Sequence, residues 1–293
     1  MIRACQRIAA AGAFAFILGL GCRVASAVPL TADFGVTADD TGGLALDAGF
    51  GISPSEHFTL SLGAGHSGGS TETADLNGTL LNAGASLHGD RAGVALGYDV
   101  FDDSTNYHAA TLGARAWVRA GDFEFTLLGR QRDMGVELTV ALPMRTVHRK
   151  VEFSAIGGGL QLGFSHGDIN AYAMALEYDY DEDFNDFLDL ADSPLLERRP
   201  RIEALLGSFL TQAQGAIDRQ AGFGVERSFG RQSLAVDFSS VHDAVLDASS
   251  TSVALTYRRA QSAHVDWTVS AGMVDSDAYG GIAFLGFGLG LAN

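Results

Sequence analysis

The sequence predicts an all-β fold: a transmembrane, antiparallel, up-and-down β-barrel of about 14 strands, with a short helix in one long loop. Three observations lead there. Apolar residues recur at every second position in short runs along nearly the whole chain. The breaks between those runs alternate between tight turns and longer polar loops. The first 27 residues read as an export signal.

The chain opens MIRACQRIAAAGAFAFILGLGCRVASAVP. Arg3 and Arg7 give a positive n-region, residues 8–21 are uncharged and mostly apolar, and Ala25-Ser26-Ala27 is a small-x-small cleavage site. Residues 1–27 are therefore expected to be a secretory signal peptide cut after Ala27. The apolar run is shorter than the roughly 20 residues a transmembrane helix needs. Cys22 also admits a lipoprotein reading, which Gly19 fits poorly because an aliphatic residue belongs there. Cys5 and Cys22 both precede the cut, so residues 28–293 hold no cysteine and no disulfide or thiol chemistry is open to them.

The formal net charge is −16, from 19 Lys+Arg against 35 Asp+Glu; removing Arg3, Arg7 and Arg23 with the signal leaves 16 basic residues and −19. Phosphate binding needs a basic patch, so nucleic acid is not an expected partner. Hydrophobic residues make up 47% of the chain, yet after residue 27 they are dealt out one in two, with no long apolar run. Glycine is abundant (37) and proline scarce (5), which suits many long strands with few breaks.

The elements follow in order. Leu30-Ala32-Phe34-Val36 alternates with Thr31, Asp33 and Gly35; residues 38–42 break it, and Leu44 to Ile52 resumes it. Residues 53–56 turn tightly into Phe58 to Ala64, and a polar loop over 66–77 leads to Thr79 to Leu87. The tight turn 88–91 precedes Val94 to Val100, a polar loop over 102–105 follows, and Leu112 to Val118 ends at the tight turn 120–122. Phe123-Phe125-Leu127 continues after a phase shift as Val136-Leu138-Val140, with a loop expected over 142–150 and then Val151-Phe153. Leu160-Leu162-Phe164, the turn 165–168 and Tyr172 to Tyr180 read as a hairpin with its tyrosines outward. The longest loop spans 182–219; after it come Phe223 to Phe229, Leu234 to Phe238, Val253 to Tyr257, Val265 to Met273 and a last strand from Ile282 to Leu291. Each run is roughly the 9–11 residues a tilted strand needs to cross hydrocarbon. Residues 123–159 leave room for an extra hairpin or a bulged pair, so 12 or 16 strands stay open.

A secreted β-sandwich would also bury one face of each strand. Three features favour the barrel: small residues on the face expected inside, aromatics near strand ends (Tyr98, Trp117, Tyr178, Tyr180, Tyr257), and the need of a membrane-crossing sheet to close. With its export signal, its alternation and its final strand GGIAFLGFGLGLAN, the chain over residues 28–293 resembles bacterial outer-membrane β-barrel proteins of the porin-like kind. The resemblance implies residence in the outer membrane of a Gram-negative cell. It also implies contact with outer-membrane lipid and lipopolysaccharide, and folding by the barrel assembly machinery. Such barrels usually end in an aromatic residue, whereas this chain ends Leu291-Ala292-Asn293.

Period-two spacing aims a ladder of charge into the lumen: Arg115, Arg119, Arg130 and Arg132, with Asp47, Asp99, Glu124, Glu177, Asp179 and Asp237, and also Asp33, Glu137, Glu226, Arg258 and Asp266. Opposed charges there set ion selectivity in a pore, or simply fill a narrow lumen because charge cannot face lipid cheaply. In the long loop, Ile202, Leu205, Leu206, Phe209 and Leu210 fall at helical spacing between Pro200 and Gly215, giving a helix over 200–214. It would plug the lumen, cap the mouth or pack on neighbouring loops. Arg198, Arg199 and Arg201 would meet lipopolysaccharide phosphates or pair with nearby acids.

Barrel lipid hydrolases place His and Ser two apart on a strand, and no histidine here is followed two residues later by serine. There is no His-Glu-x-x-His and no EF-hand spacing. The expected function is a passive pore or transporter without enzymatic activity, cofactor or metal, mildly cation-preferring because acids are in excess. The alternatives are a non-transporting envelope barrel and a barrel lipid hydrolase.

Overall fold

The computed structural model describes residues 28–70, 75–103, 107–142, 145–181, 216–244, 247–277 and 280–293. The expected signal peptide, the loop helix over 200–214, Arg198, Arg199, Arg201, Leu205 and Phe209 lie outside these residues.

Fourteen antiparallel strands run in sequence order: β1 (Leu30–Asp39), β2 (Leu44–Ser55), β3 (Phe58–Ser70), β4 (Asp75–His88), β5 (Ala92–Asp103), β6 (Tyr107–Ala120) and β7 (Phe123–Leu142). Then come β8 (Arg145–His166), β9 (Ile169–Tyr180), β10 (Ile217–Phe229), β11 (Gln232–Asp243), β12 (Ala248–Ala260), β13 (Val265–Ser276) and β14 (Gly280–Ala292). Every strand pairs with its sequence neighbours, and β1 pairs with β14 from Thr31↔Ala292 to Asp39↔Phe284, so the sheet closes into a barrel. Closure leaves no strand edge, which hydrocarbon would penalise by several kcal/mol for each unpaired backbone group. At the seam the Leu30 amide donates to the Asn293 side chain at 2.7 Å, and the Asn293 amide donates to the Leu30 carbonyl at 3.2 Å. Asn293 thus fastens the end of β14 to the start of β1.

The start of β1 and the end of β14 lie at one rim, where β6–β7, β8–β9 and β10–β11 are joined by two-residue turns. Each of those turns begins with a glycine at positive φ: Gly121 at 61°, Gly167 at 59° and Gly230 at 66°. Such turns match the right-handed twist of a hairpin and are open to glycine at no steric cost. By the usual topology of these barrels this is the periplasmic rim.

At the opposite rim, β7 and β8 run to 20 and 22 residues. They stay in register as far as Leu142↔Arg145, so the loop expected over 142–150 is instead the tip of a long hairpin. The polar stretches 66–70 and 102–103 likewise belong to β3 and β5. Beyond the hydrocarbon a strand needs no apolar face, and alternation fades before pairing does.

The outer wall is apolar. Leu62, Leu96, Leu127, Leu160 and Leu285 expose large hydrocarbon surfaces, and Ile156 is 73% exposed. Among the described residues no helix is long and apolar enough to cross a membrane. Aromatic pairs gather on the outer wall near the periplasmic rim: Phe123 with Phe164 at 5.3 Å and Tyr257 with Trp267 at 5.4 Å. Nearby, the Arg227 guanidinium lies 5.1 Å from the Phe229 ring. This is the belt expected where hydrocarbon meets water.

At the extracellular rim, Asp181 accepts from the Ser154 amide at 2.7 Å and from the Ser154 hydroxyl at 2.6 Å, fastening the end of β9 to β8. These bonds hold the Asp181 carboxyl below its ordinary value of 3.8. A carboxyl depressed on folding stabilises above its unfolded pKa, and the contribution is lost as pH falls through the folded value. Amide exchange at Ser154 is therefore expected to accelerate below pH about 4 in the native chain relative to Asp181→Asn, with the two converging in strong acid.

Candidate functional site

The candidate site is the lumen, and its two walls differ. Paired residues share a face, so rows of side chains can be followed round the sheet. One inward row runs Asp99, Thr111, Arg132, Ala155 and Tyr180; the next runs Gly97, Gly113, Arg130, Gly157 and Tyr178. Arg115 and Arg119 stand inward on β6, below them. The Arg115 guanidinium lies 5.3 Å from the centroid of the Trp117 ring, and Arg119 bonds Glu124 at 2.8 Å. The four arginines thus make a positive strip up β6 and β7.

Around this strip, towards the extracellular rim, the lumen is lined by an apolar shelf. Phe101, Tyr107, Met134 and Phe153 are all less than a tenth exposed, as are Leu176 and Tyr178. Tyr107 on β6 and Ala216, just before β10, belong to the same cluster, which places this face inside the ring. Arg132 is 2% exposed within the shelf and donates through Nε to the Thr111 hydroxyl at 3.3 Å.

The opposite wall is low and polar. In a closed ring of 14 strands, β6 and β7 stand across from β13, β14 and β1. Inward residues there and on the adjoining β2 include Asp33, Asp47 and Asp266, the last held by Arg258 through two bonds at 3.2 and 2.8 Å. On this side polar side chains lie flat over glycines of the neighbouring strand: Asp33 over Gly49, Asp47 over Gly35, Asn82 over Gly63, Thr268 over Gly288. A Cβ on any of these glycines would collide with the side chain above it. The glycines therefore keep the polar groups pressed to the wall and the lumen clear. A cavity of about 420 Å³ runs along this side, lined by Thr31, Asp33, Asp47, Ser61 and Asn82. Gly35→Val is accordingly expected to lift Asp47 into the lumen and lower single-channel conductance, whereas Val36→Ala, on the outer face, leaves it unchanged.

A closed ring with an apolar exterior and a charged interior decides the class. The chain is an outer-membrane-type β-barrel. Solved structures similar to it include an outer-membrane protein. OmpT of Vibrio cholerae, an outer-membrane protein, is 9% identical with a TM-score of 0.49, over 92% of this chain and 99% of that one. OccAB1 of Acinetobacter baumannii is 9% identical with a TM-score of 0.47, over 91% and 96%. OpdK of Pseudomonas aeruginosa, solved with vanillate, is 8% identical with a TM-score of 0.44, over 91% and 98%. No protein-family model and no curated protein matches the sequence.

In this barrel Arg115, Arg119, Arg130, Arg132, Asp47, Asp99, Glu124 and Asp237 point into the lumen. Glu177 and Asp179 do not. Asp179 pairs with Ile156 and Glu177 with Gly158, on the face that carries the exposed Leu160 and Leu162. Both acids therefore stand on the outer wall near the extracellular rim. Conversely Tyr172, Met174, Leu176, Tyr178 and Tyr180, expected outside, face the lumen, and so does Trp117, which lies over Gly93. Tyr178 and Tyr180 thus belong to the shelf and to no interfacial belt.

The physical reason lies on the adjoining strands. The inward positions of β8 and β10 opposite these residues are Gly157, Gly159, Gly222 and Gly224, which give the large side chains room. Below Glu177 the outward residues of β9 include Ala171, Ala173 and Ala175, also apolar, so lipid accepts them. Both faces of β9 are apolar over this span, and alternation alone cannot choose between them.

Tyr172 is fixed by its hydroxyl, which donates to Asp237 at 2.9 Å. Among the described residues no group of three or more His, Cys, Asp or Glu is placed to hold a metal ion.

Proposed function

We propose that the barrel is a passive pore of the outer membrane, conducting ions and small polar solutes across a transverse electric field. The observation that carries this reading is the placement of charge. An arginine strip on β6 and β7 faces acids on β1, β2 and β13 across a lumen whose polar side chains lie flat on glycine. Side chains that merely filled a narrow lumen would interdigitate across it; those of this wall are folded away from it. The reading includes export by residues 1–27, folding by the barrel assembly machinery and a surround of lipopolysaccharide. It assigns no catalytic step to any residue.

The test is conductance of the purified chain in planar bilayers under a potassium chloride gradient. Discrete, long-lived steps with a reversal potential mildly on the potassium side support the pore. A heat-modifiable, strand-rich barrel that gives no steps would be a structural or partner-binding protein instead.

A further inference from the structure

An uncharged residue, Tyr178, joins the two arginines of the shelf. Its side chain lies across Gly157, where a Cβ would stand 2.7 Å from the tyrosine ring, so it is pressed flat against the wall. It is 5% exposed. Arg130 donates from Nη1 to the Tyr178 hydroxyl oxygen at 3.1 Å, and the Arg132 guanidinium lies 5.6 Å from the centroid of the same ring. One face and one edge of a single ring thus hold two cations by different forces, a charge-assisted hydrogen bond and attraction to the ring quadrupole.

The two arginines differ in what the rest of the wall does for them. Arg132 is enclosed by the shelf and also bonded to Thr111. Arg130 is only half-buried, and its inward neighbours in the row are Gly113 and Gly157, which offer no side chain to lean on. Asp99 acts on Arg130 by charge, and the Tyr178 hydroxyl accepts its hydrogen bond.

We propose that Tyr178 is a positioning residue, which holds the Arg130 guanidinium against the wall and so fixes both the position of the positive strip and the free width of the lumen beside it. The second half of this statement rests on the pore reading; the first does not. Tyr178→Phe is the deciding variant. It keeps the ring over Gly157 and beside Arg132, keeps the shelf packed, and removes only the acceptor of Arg130.

Two measurements separate the halves. The first is the rate at which phenylglyoxal modifies Arg130 in the folded, detergent-solubilised barrel, read by peptide mass mapping. A hydrogen bond to a charged group shifts the balance of held to released side chain by roughly tenfold or more. Modification of Arg130 is accordingly expected to be faster by a similar factor in Tyr178→Phe, with Arg115 unchanged as the internal reference. Equal rates in the two proteins would overturn the proposal, whether or not the barrel conducts.

The second is open-channel current noise in planar bilayers. Tyr178→Phe is expected to raise the noise several-fold and to lower mean conductance, and the effect is expected to vanish in an Arg130→Gln background. Excess noise that persists without Arg130 would mean that Tyr178 acts through packing alone, and would overturn the proposal while leaving the pore intact. An absence of channels in the native protein would overturn the pore reading and the claim about lumen width, and leave the claim about Arg130 to the modification rate.

Discussion

Replacing Arg115 and Arg130 together by glutamine is expected to move the reversal potential in a salt gradient strongly towards potassium. These two are the arginines of the strip best placed to act on passing ions. Arg119 is matched by Glu124 at 2.8 Å and Arg132 is enclosed by the shelf, so both are blunted. Arg115 lies against the Trp117 ring, and Arg130 donates to the neutral Tyr178 hydroxyl, with Asp99 the acid whose charge acts on it. A unit charge acts on an ion about 4 Å away by about 1 kcal/mol even at the dielectric of bulk water, a factor of about five in local ion population. In a lumen with low-dielectric walls the effect is larger, and Asp33 and Asp47 across the passage then meet less opposing charge. The counterpart, Asp33→Asn with Asp47→Asn, is expected to shift the potential the opposite way. The same recordings made at about 1 M salt should show both shifts reduced, because the Debye length there falls to about 3 Å.

Much of this arrangement was legible in the sequence. Strand number and order follow from runs such as Leu44-Leu46 and Leu60-Leu62, whose neighbours on the other face (Ala45, Asp47, Ser61) are small or polar. Arg115 and Arg119 were legible for the same reason, since each stands between residues lipid accepts: Ala114 and Ala116 beside Arg115, Val118 and Ala120 beside Arg119. Arg130 and Arg132 flank the polar Gln131 and follow only by continuing the same period. Two features were not. The β7–β8 hairpin outruns the hydrocarbon, and LTVAL and RTVHRKV carry no clean alternation to mark them as strand. The phase of β9 is fixed by neighbours far along the chain and not by β9 itself. Glycine was the available clue: Gly157 and Gly159 on one side, Gly222 and Gly224 on the other, make recesses on the face that Tyr172 to Tyr178 fill. Reading inward faces as the faces with room, across three strands at once, would have placed the tyrosines inside and Glu177 and Asp179 outside.

That inversion gives the second large effect. Ala173 pairs with Leu162 and Phe223 on the outer wall, in the middle of the apolar band. Ala173→Arg puts a guanidinium into hydrocarbon at a cost of about 2–4 kcal/mol near the midplane. The heat-modifiable, folded form should be lost or sharply reduced on gels, and refolding into vesicles should slow. Met174→Arg, one residue on, turns into the lumen, where water and the acids of the far wall receive it. It loses some packing against the shelf and keeps the folded form. Had the tyrosine face been outside, the two outcomes would be exchanged, so the pair of variants reads the phase of β9 directly.

The measurement that bears most directly on the whole account is thiol accessibility along alternate residues of two strands on opposite sides of the barrel. Residues 28–293 contain no cysteine, so each introduced thiol is unique there. Single cysteines at Leu46 and Asp47 on β2, and at Tyr172 and Ala173 on β9, would be exposed to a charged, water-soluble thiol reagent while single-channel current is recorded. The account predicts that Asp47→Cys and Tyr172→Cys react and step the current down, and that Leu46→Cys and Ala173→Cys stay silent in lipid. Reaction at both members of a pair, or reaction at Ala173→Cys with silence at Tyr172→Cys, would contradict it.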